Sequence, residues 1–399
     1  MRSEADPPAE SADIVVIGGA AMGSAVACHL ALDPAFSGRV VVIERDPSYQ
    51  FCATARSAAS IRQQFSTPLN IDISLYGIQA MRSLGDDLAV DGDRPDIALT
   101  EGGYLFLATP EKLDILDSNH RIQTQRGADI LRLSPDDLSA RFPWLAVDDI
   151  AGGCWGRSGE GWYDGYGLMR AFRRRAVAGG VTYRTGVATG VTTAGGRVTG
   201  VRLADGGVCP AAVVVDCAGT AAAGIAMTCG VAVPVHSRKR MVFTFTCPDP
   251  VPDMPLVVDP GGVYCRPEGQ GFICGMSPPA DRDPDCYDYD VDHTLFEETI
   301  WPVLARRIPA FERLRTGPAW AGHYDMNVFD SNAIVGGVPG VEGFYMATGF
   351  SGHGLQQAPA VGRGLAELIV HGGYRSLDLS PLGIGRLIRG EPLREINVV

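Results

Sequence analysis

A glycine-rich stretch near the start of the sequence has the residue types needed to hold phosphate. Gly18 and Gly19 follow a β-branched run at 13–17, and Gly23 lies near the start of a helix predicted from Met22 to about Leu32. Glycine lets the chain turn sharply and brings backbone N–H groups against a pyrophosphate, which the positive end of the helix dipole also attracts. A turn that needs glycine for packing alone is the alternative interpretation.

A carboxylate at the end of the next predicted strand favours the nucleotide interpretation. Residues 39–43 form a second buried run, and Glu44 follows directly. A carboxylate there can accept hydrogen bonds from both ribose hydroxyls of an adenosine, and it disfavours the 2′-phosphate of NADP. Ala20 replaces the second glycine of the usual G-x-G-x-x-G pattern. The order strand, turn, helix, strand and acid predicts a βαβ unit that binds a dinucleotide.

Two later segments have similar features. The buried run 212–216 leads into Cys217-Ala218-Gly219, and the glycine cluster 349–354 precedes a helix predicted from about Gln357 to Val370. We expect Pro359 in the first turn of that helix. Nucleotide-like elements therefore occur in three separate parts of the chain.

The composition excludes several classes of protein. The 399 residues include 34 Lys and Arg against 46 Asp and Glu, a net charge of -12, so general binding to nucleic acid or anionic lipid is not expected. Ten cysteines without a C-x-x-C pair indicate reduced thiols in a cytoplasmic protein, not a disulfide framework or zinc site. No apolar run has the roughly 18 to 20 residues that span a bilayer. Residues 1–12 lack signal-peptide features and predict a disordered lead-in.

The three nucleotide-like segments together resemble the D-amino acid oxidase and sarcosine oxidase superfamily of FAD-dependent flavoproteins. The matching pieces are VVIGGAAMG and VVVIERD near the start, GVATGVTTAGGRVTGVRLADG and VVVDCAG in the middle, and GFYMATGFSGHGLQQAPAVGRGLAELI near the end. Residues 61–66, 160–164 and 349–363 are most similar to the branch that contains the sarcosine oxidase β subunit, dimethylglycine dehydrogenase and the complex I assembly flavoprotein.

The resemblance implies a fold that combines α/β and α+β architecture. A discontinuous, Rossmann-like FAD-binding domain would carry an inserted substrate domain, built on a mostly antiparallel sheet with helices. We assign residues 13–90, 151–235 and 326–399 to the FAD-binding domain. Residues 91–150 and 236–325 would form the substrate-binding domain.

The resemblance also implies which residues contact FAD. They lie in the first turn, at the end of the second strand, beside the flavin ring, after the middle strand and before the last helix. The expected FAD-binding residues are Gly18, Gly19, Ala20, Ala21, Met22, Gly23, Glu44, Arg45, Ser57, Ala58, Ala59, Val187, Ala218, Gly219, Gly349, Phe350, Ser351, Gly352, His353, Gly354, Leu355 and Gln356. The start of the last helix would stabilise negative charge on the reduced flavin.

Four residues are predicted to act on the substrate. By similarity to sarcosine oxidases, Arg62 holds the substrate carboxylate through two parallel hydrogen bonds. Tyr324 matches an active-site tyrosine of the superfamily. His323 and His353 would tune or accept the proton of a substrate amine. A salt-bridged surface arginine, a buried tyrosine with one hydrogen bond, and neutral core histidines are the competing interpretations.

Departures from the superfamily pattern change two expectations. The cysteine that attaches FAD in monomeric sarcosine oxidases matches Gly322, and residues 46–66 contain no histidine for the attachment used in dimethylglycine dehydrogenase, so we expect non-covalent FAD. The lysine that promotes reaction with oxygen matches Ile273, which argues against fast oxidase turnover. A second lysine, which helps to hold the carboxylate, matches Gln356.

The resemblance implies an FAD-dependent amine or amino acid oxidoreductase. Its substrate would be an N-substituted amino acid such as sarcosine or another N-alkyl glycine, which would lose a hydride to flavin N5 and give an imine that water hydrolyses. The electron acceptor would be O2 or an electron-transfer partner, and the protein a monomer or homo-oligomer. A D-amino acid dehydrogenase or oxidase, a non-catalytic flavin-containing assembly protein and an NAD-linked dehydrogenase are the alternatives.

Overall fold

The computed structural model describes residues 11–396. Residues 1–10 of the predicted lead-in at 1–12 lie outside the described residues. The first strand begins at Ala12, the last residue of that predicted segment. The strands are β1 Ala12–Ile17, β2 Val40–Glu44, β3 Ser60–Ile61, β4 Tyr104–Ala108, β5 Ile130–Leu133, β6 Gly152–Gly156, β7 Gly161–Trp162, β8 Thr182–Thr185, β9 Ala188–Ala194, β10 Arg197–Leu203, β11 Val208–Asp216, β12 Val235–Thr246, β13 Leu256–Val258, β14 Tyr264–Glu268, β15 Gly271–Gly275, β16 Arg315–Asn327, β17 Ile334–Gly337 and β18 Phe344–Thr348.

The helices are the other main elements. They are α1 Ala21–Leu32, α2 Pro68–Asp87, α3 Leu113–Gln125, α4 Pro135–Arg141, α5 Gly165–Ala178, α6 Ala222–Met227, α7 His293–Leu295, α8 Trp301–Arg307, α9 Gly354–His371 and α10 Gly385–Arg389. Among the described residues, no helix is long and apolar enough to cross a membrane. Helix α9 begins earlier than predicted, so Pro359 lies in its second turn and not in its first.

The first sheet has the strand order β17-β18-β11-β1-β2-β8, with the β9–β10 hairpin attached to β11. Strands β18, β11, β1, β2 and β8 are parallel, so their carboxyl ends lie at one edge of the sheet. Ile14 and Val16 of β1 pack toward the core shared with α1, α2, α5 and α9. Val15 and Ile17 pack in the opposite core, toward the β9–β10 hairpin and α6. Burial on both faces explains the uninterrupted β-branched runs.

The second sheet has the order β16-β12-β15-β14-β13-β4-β6-β5 and is antiparallel except for the parallel pair β13 and β4. Strand β6 belongs to this sheet, between β4 and β5, although we placed residues from 151 onward with the FAD-binding domain. Its sequence, GGCWG, is too glycine-rich to indicate a strand. The predicted fold class, a discontinuous Rossmann-like unit with a mostly antiparallel inserted sheet, is confirmed.

Candidate active site

The carboxyl ends of β1, β2 and β11 border a cleft of about 200 Å³, here called the strand-end cleft. Parallel sheets characteristically bind ligands at this edge. Seven of the predicted FAD-binding residues line it. They are Gly18, Ala20, Glu44, Arg45, Val187, Ala218 and Gly219.

The backbone of the first turn leaves no room for side chains at two glycines. Gly18 has a φ of +91°, and a Cβ there would lie 2.5 Å from the carbonyl oxygen of Cys217. A Cβ on Gly23 would lie 1.9 Å from the carbonyl oxygen of Gly18. The turn therefore depends on glycine, and it places the N-terminus of α1 next to the cleft.

Glu44 is held in place by backbone donors. Its carboxylate accepts hydrogen bonds from the N–H groups of Gly19, at 2.7 Å, and Asp46, at 2.9 Å. Each carboxylate oxygen has a second lone pair, so these bonds leave acceptor capacity for ribose hydroxyls.

Two carboxylates beside the cleft, the buried Asp216 and the half-buried Asp325, were not predicted. Asp325 accepts hydrogen bonds from the N–H groups of Gly349, at 2.8 Å, and Phe350, at 3.3 Å, and so holds the loop before α9. Burial raises the pKa of Asp325 to about 6 and that of Asp216 to about 7. Within residues 11–396, one oxygen of Asp216 has no hydrogen-bond partner. Their signal in the sequence was only an acid near the end of a strand.

His323 is not placed beside Arg62. It lines the strand-end cleft, where its ring packs edge-on against Tyr289 at 4.5 Å between centroids. Neighbouring residues of a strand point to opposite faces, so His323 and Tyr324 of β16 face different cavities. The structure therefore separates His323 from the cavity that holds Arg62 and Tyr324, and its role toward the proton of a substrate amine stays a prediction. Burial lowers the pKa of His323, and its Nε2 has no partner in the described chain.

A second cavity, of about 60 Å³, lies between the segment 57–62 and the start of α9 and is here called the Arg62 cavity. It brings together three of the four predicted substrate residues, together with side chains from β4, β13 and β14. Its lining residues are Ser57, Ala58, Ser60, Arg62, Tyr104, Leu256, Tyr264, Tyr324, Gly352, His353, Leu355 and Gln356.

Arg62 is 3% exposed, so it is not the surface arginine of the competing interpretation. Its guanidinium donates to the carbonyl oxygen of Gln64 and lies 3.1 Å from Nε2 of His353. It also lies 4.0 Å from the centroid of the Phe65 ring. Burial lowers the pKa of Arg62, yet a guanidinium stays protonated in proteins.

The contact with Arg62 determines the protonation of His353. A guanidinium only donates hydrogen bonds, so Nε2 of His353 must accept and the ring proton must reside on Nδ1. Burial and the positive charge of Arg62 lower the pKa of His353 to about 3. His353 therefore positions Arg62 and is not a base with a free lone pair at Nε2.

Gln356 also supports Arg62, but through the backbone. Its side-chain oxygen accepts a hydrogen bond from the N–H of Arg62 at 2.9 Å. The sequence suggested a neutral helper for the substrate carboxylate, whereas this contact fixes the main chain of the arginine.

Tyr324 packs against a glycine of the opposite wall. Gly352 has a φ of +94°, and a Cβ there would lie 2.4 Å from the Tyr324 ring. The guanidinium carbon of Arg240 lies 5.1 Å from the ring centroid. Arg240 is 8% exposed and pairs with Asp283. Burial raises the pKa of Tyr324, which keeps its hydroxyl protonated at neutral pH.

A buried carboxylate lies beneath the Arg62 segment. Glu160 is fully buried and accepts hydrogen bonds from the N–H groups of Gln63 and Gln64 and from the Gln64 side chain. Because Gln64 in turn accepts from Arg62, Glu160 helps to fix the guanidinium. Burial raises the pKa of Glu160 to about 7. Arg266, also unpredicted, donates to the carbonyl oxygen of Ala58 at 2.6 Å.

The remaining predicted FAD-binding residues line neither cavity, but several hold the loops that do. The N–H of Ala21 donates to Thr54 at 3.3 Å, and Ser351 accepts from the N–H of Asn327 at 3.0 Å. This group comprises Gly19, Ala21, Met22, Gly23, Ala59, Gly349, Phe350, Ser351 and Gly354.

Comparison with known proteins connects this geometry to a family. Residues 13–368 match the family model described as FAD dependent oxidoreductase (DAO). The chain belongs to the DAO family. FAD-dependent oxidoreductase domain-containing protein 1 of Xenopus laevis is 40% identical to it, over 99% of this chain and 86% of that protein. Human mitochondrial sarcosine dehydrogenase is 24% identical, over 92% of this chain and 40% of that protein.

Solved structures agree with the DAO assignment. L-proline dehydrogenase from P. horikoshii superimposes with a TM-score of 0.85 at 25% identity, covering 97% of this chain and 100% of that one. Glycine oxidase from Geobacillus kaustophilus has a TM-score of 0.80 at 22% identity, covering 94% and 98% respectively. The predictions of an FAD-dependent oxidoreductase and of FAD as its cofactor are confirmed.

The strand-end cleft of this DAO-family chain has the features that FAD requires. The glycines of its first turn leave the backbone at the cleft uncovered by side chains. The carboxylate of Glu44, next to that turn, can accept hydrogen bonds from ribose hydroxyls. The unpartnered atoms of Asp216 and His323 are buried at the same edge, where a ligand with hydroxyl and ring polar groups would satisfy them.

Proposed function

We propose that this flavoprotein oxidises the C–N bond of an N-substituted amino acid, such as sarcosine or another N-alkyl glycine, to an imine that water hydrolyses. The observation that carries the proposal is the Arg62 cavity. It joins a buried guanidinium to Tyr324 and to segments 57–58 and 352–356, which the resemblance places beside the flavin ring.

Arg62 binds the carboxylate of the substrate. A planar guanidinium holds a carboxylate through two parallel hydrogen bonds, which fixes the orientation as well as the position of the molecule. His353 and the carbonyl oxygen of Gln64 hold the guanidinium, and Gln356 holds the main-chain N–H of the same residue. Little conformational freedom is then left to lose when the substrate binds.

The polar groups of the cavity favour a neutral amine. Nε2 of His353 is occupied by Arg62, and the protonated hydroxyl of Tyr324 is a hydrogen-bond donor. FAD, when bound, accepts a hydride from the carbon next to the nitrogen. The residues present contribute positioning and exclusion of water, so the substrate enters with its amine already deprotonated.

Relatives support this substrate class. The sarcosine dehydrogenases of mouse and human match 92% of this chain at 23% and 24% identity. Dimethylglycine dehydrogenase of Rattus norvegicus matches 97% at 25%. Their names describe N-methylated glycines. L-proline, in the name of the 25% identical structure, is also a secondary amine with a carboxylate.

We also propose that FAD is held without a covalent bond and that the protein works in a reducing compartment such as the cytoplasm. All ten cysteines are free. By the resemblance, Gly322 matches the attachment cysteine of monomeric sarcosine oxidases, and in the structure it lies against Arg56. Acid precipitation should leave the yellow colour in the supernatant, whereas a yellow pellet would contradict non-covalent binding.

An anaerobic stopped-flow survey tests the substrate class. N-methylglycine, N,N-dimethylglycine, L-proline and D-alanine are mixed with the oxidised holoprotein, and loss of the visible flavin band is followed. We expect bleaching by the N-substituted amino acids. If D-alanine alone bleaches the flavin, the protein is a D-amino acid oxidoreductase. If none does, the substrate class is wrong and a non-catalytic assembly role gains support.

A further inference from the structure

Another cavity, of about 360 Å³, lies on the same side of the second sheet. It is formed by β4, β13, α3 and the loops around 259–262 and 277–278, and it is here called the Gln123 cavity. The residues used below are Gln64, Phe106, Gln123, Val258, Gly261 and Ser277.

Strand register shows that the two cavities are neighbours. Strands β4 and β13 pair in parallel, with Tyr104 opposite Leu256 and Phe106 opposite Val258. The first pair lines the Arg62 cavity, and the second lines the Gln123 cavity. Residues two apart on a strand share a face and are separated by about 7 Å. The cavities therefore follow each other along one sheet face.

Arg62 lines the Arg62 cavity and also contacts two residues that line the Gln123 cavity. The guanidinium carbon of Arg62 lies 5.5 Å from the centroid of the Phe106 ring. The guanidinium also donates to the carbonyl oxygen of Gln64, a residue that lines the Gln123 cavity. A molecule whose carboxylate is bound by Arg62 thus begins about one strand repeat from the Gln123 cavity.

The Gln123 cavity contains two buried polar atoms without a partner in the described chain. Gln123 is 2% exposed, and its Nε2 donates to the carbonyl oxygen of Phe65 at 3.0 Å. That bond fixes the amide orientation, so Oε1 is the unpartnered acceptor. Ser277 Oγ is the other unpartnered atom. An unpaired buried polar group costs about 1–3 kcal/mol. Oε1 of Gln123 needs a donor and the Ser277 hydroxyl can donate, so the two groups together suit a ligand hydroxyl, which donates to Gln123 and accepts from Ser277.

The volumes of the two cavities also favour a ligand that extends into the Gln123 cavity. The Arg62 cavity, at about 60 Å³, has little room beyond a small amino acid, whereas the Gln123 cavity is about six times larger. Its wall includes apolar side chains such as Phe106 and Val258, which suit an alkyl chain.

We infer that the substrate carries a hydroxylated arm of about five atoms on its amine, which extends from the Arg62 cavity into the Gln123 cavity, where Gln123 and Ser277 bind its hydroxyl group. The inference rests on the proposed function, because the carboxylate on Arg62 sets the starting point of the arm. It identifies the substrate as an N-hydroxyalkyl amino acid, a larger molecule than sarcosine.

The test compares three glycines in anaerobic flavin reduction: N-methylglycine, N-pentylglycine and N-(4-hydroxybutyl)glycine. The last two have the same number of heavy atoms and differ by one hydroxyl. We expect the hydroxylated arm to lower the apparent Kd about tenfold relative to the pentyl arm. In Ser277→Ala the two long arms should bind within about threefold of each other.

A second variant obstructs the cavity. Gly261 has an open neighbourhood, where a Cβ would meet only Asp259 at 3.4 Å, so Gly261→Leu places a side chain at the cavity without a backbone clash. It should weaken both long arms about tenfold relative to N-methylglycine. Gly373→Leu, at a glycine with no heavy atom within 4 Å of a Cβ, is the control and should leave all three values unchanged.

The outcomes separate the two proposals. If N-methylglycine reduces the flavin but the hydroxylated arm gives no advantage over the pentyl arm, the inference is overturned and the proposed function stands. If no glycine derivative reduces the flavin, the proposed function fails and the inference fails with it.

Discussion

The strand-end cleft and the Arg62 cavity recognise their ligands by different means. The cleft is built from backbone at strand ends, with Gly18 and Gly23 where no side chain fits. The Arg62 cavity is built from long buried side chains, and its arginine is fixed by residues up to 294 positions away in the sequence. Backbone recognition tolerates little change in the turn itself. A cavity lined by side chains can change its ligand preference through single substitutions while the fold is unchanged.

The largest effect is expected from a side chain in the first turn. In Gly23→Val the new Cβ would lie 1.9 Å from the carbonyl oxygen of Gly18, so the turn must rearrange. We expect a colourless protein with free energy of unfolding lower by more than about 3 kcal/mol, measured by urea titration. Gly224→Ala, in an open site of α6, should stay yellow. A yellow, stable Gly23→Val protein would show that the cleft does not depend on its backbone.

Replacing the Arg62 guanidinium should weaken substrate binding in the Arg62 cavity and leave FAD binding in the strand-end cleft unchanged. Arg62→Met removes both hydrogen bonds to the carboxylate, and we expect the ratio of the reduction rate constant to Kd to fall about 10³-fold while FAD content is unchanged. Arg62→Lys keeps the charge without the planar fork and should lose less. If wild type, Arg62→Met and Arg62→Lys were equally active, Arg62 would not bind the substrate.

The contact partner of the arginine should have a smaller effect. His353→Phe removes the acceptor that positions Arg62, and we expect substrate to bind about tenfold more weakly. The wild-type rate should show no titration step from His353 between pH 5 and 8, because its pKa is about 3. A step near pH 6.5 that disappears in the variant would contradict the neutral tautomer.

The lowered pKa of His353 also predicts how the free energy of unfolding depends on pH. The folded-state pKa of His353 is about 3 and the ordinary value is 6.5, so the unfolded chain binds the extra proton first as the pH falls. Its contribution to stability is therefore complete above pH 6.5 and is lost toward pH 3. Urea unfolding of His353→Phe should depend less steeply on pH in this window, by up to about 1.4 kcal/mol per pH unit.

The smallest effect is expected at Glu160. Its folded pKa is raised to about 7, so the carboxylate is ionised above that pH and protonated below it. The ionised form accepts the N–H groups of the Arg62 segment better, so wild-type Kd should rise about threefold as the pH falls from 8 to 6. In Glu160→Gln this dependence should disappear. A dependence that persists in the variant would assign it to another group.

The cofactor half of the molecule was predictable because its signals are local. A buried strand, a glycine turn, a helix and an acid follow one another within about thirty residues. The Arg62 half lacks such signals. The separation of His323 from Tyr324 could not be foreseen, because the long strand β16, whose alternation sends the two side chains to opposite faces, was not predicted. The roles of Glu160, just before β7, and Tyr264, in β14, became visible only when distant segments packed together, since a single residue has no sequence pattern of its own.

Strand β16 carries His323 on the side of one cavity and Tyr324 on the side of the other. A displacement of this shared wall would change both sites at once, so occupancy of one site should alter affinity at the other. Thermodynamic linkage makes this effect reciprocal. The factor by which a bound carboxylate analogue lowers the Kd of FAD must equal the factor by which bound FAD lowers the Kd of the analogue.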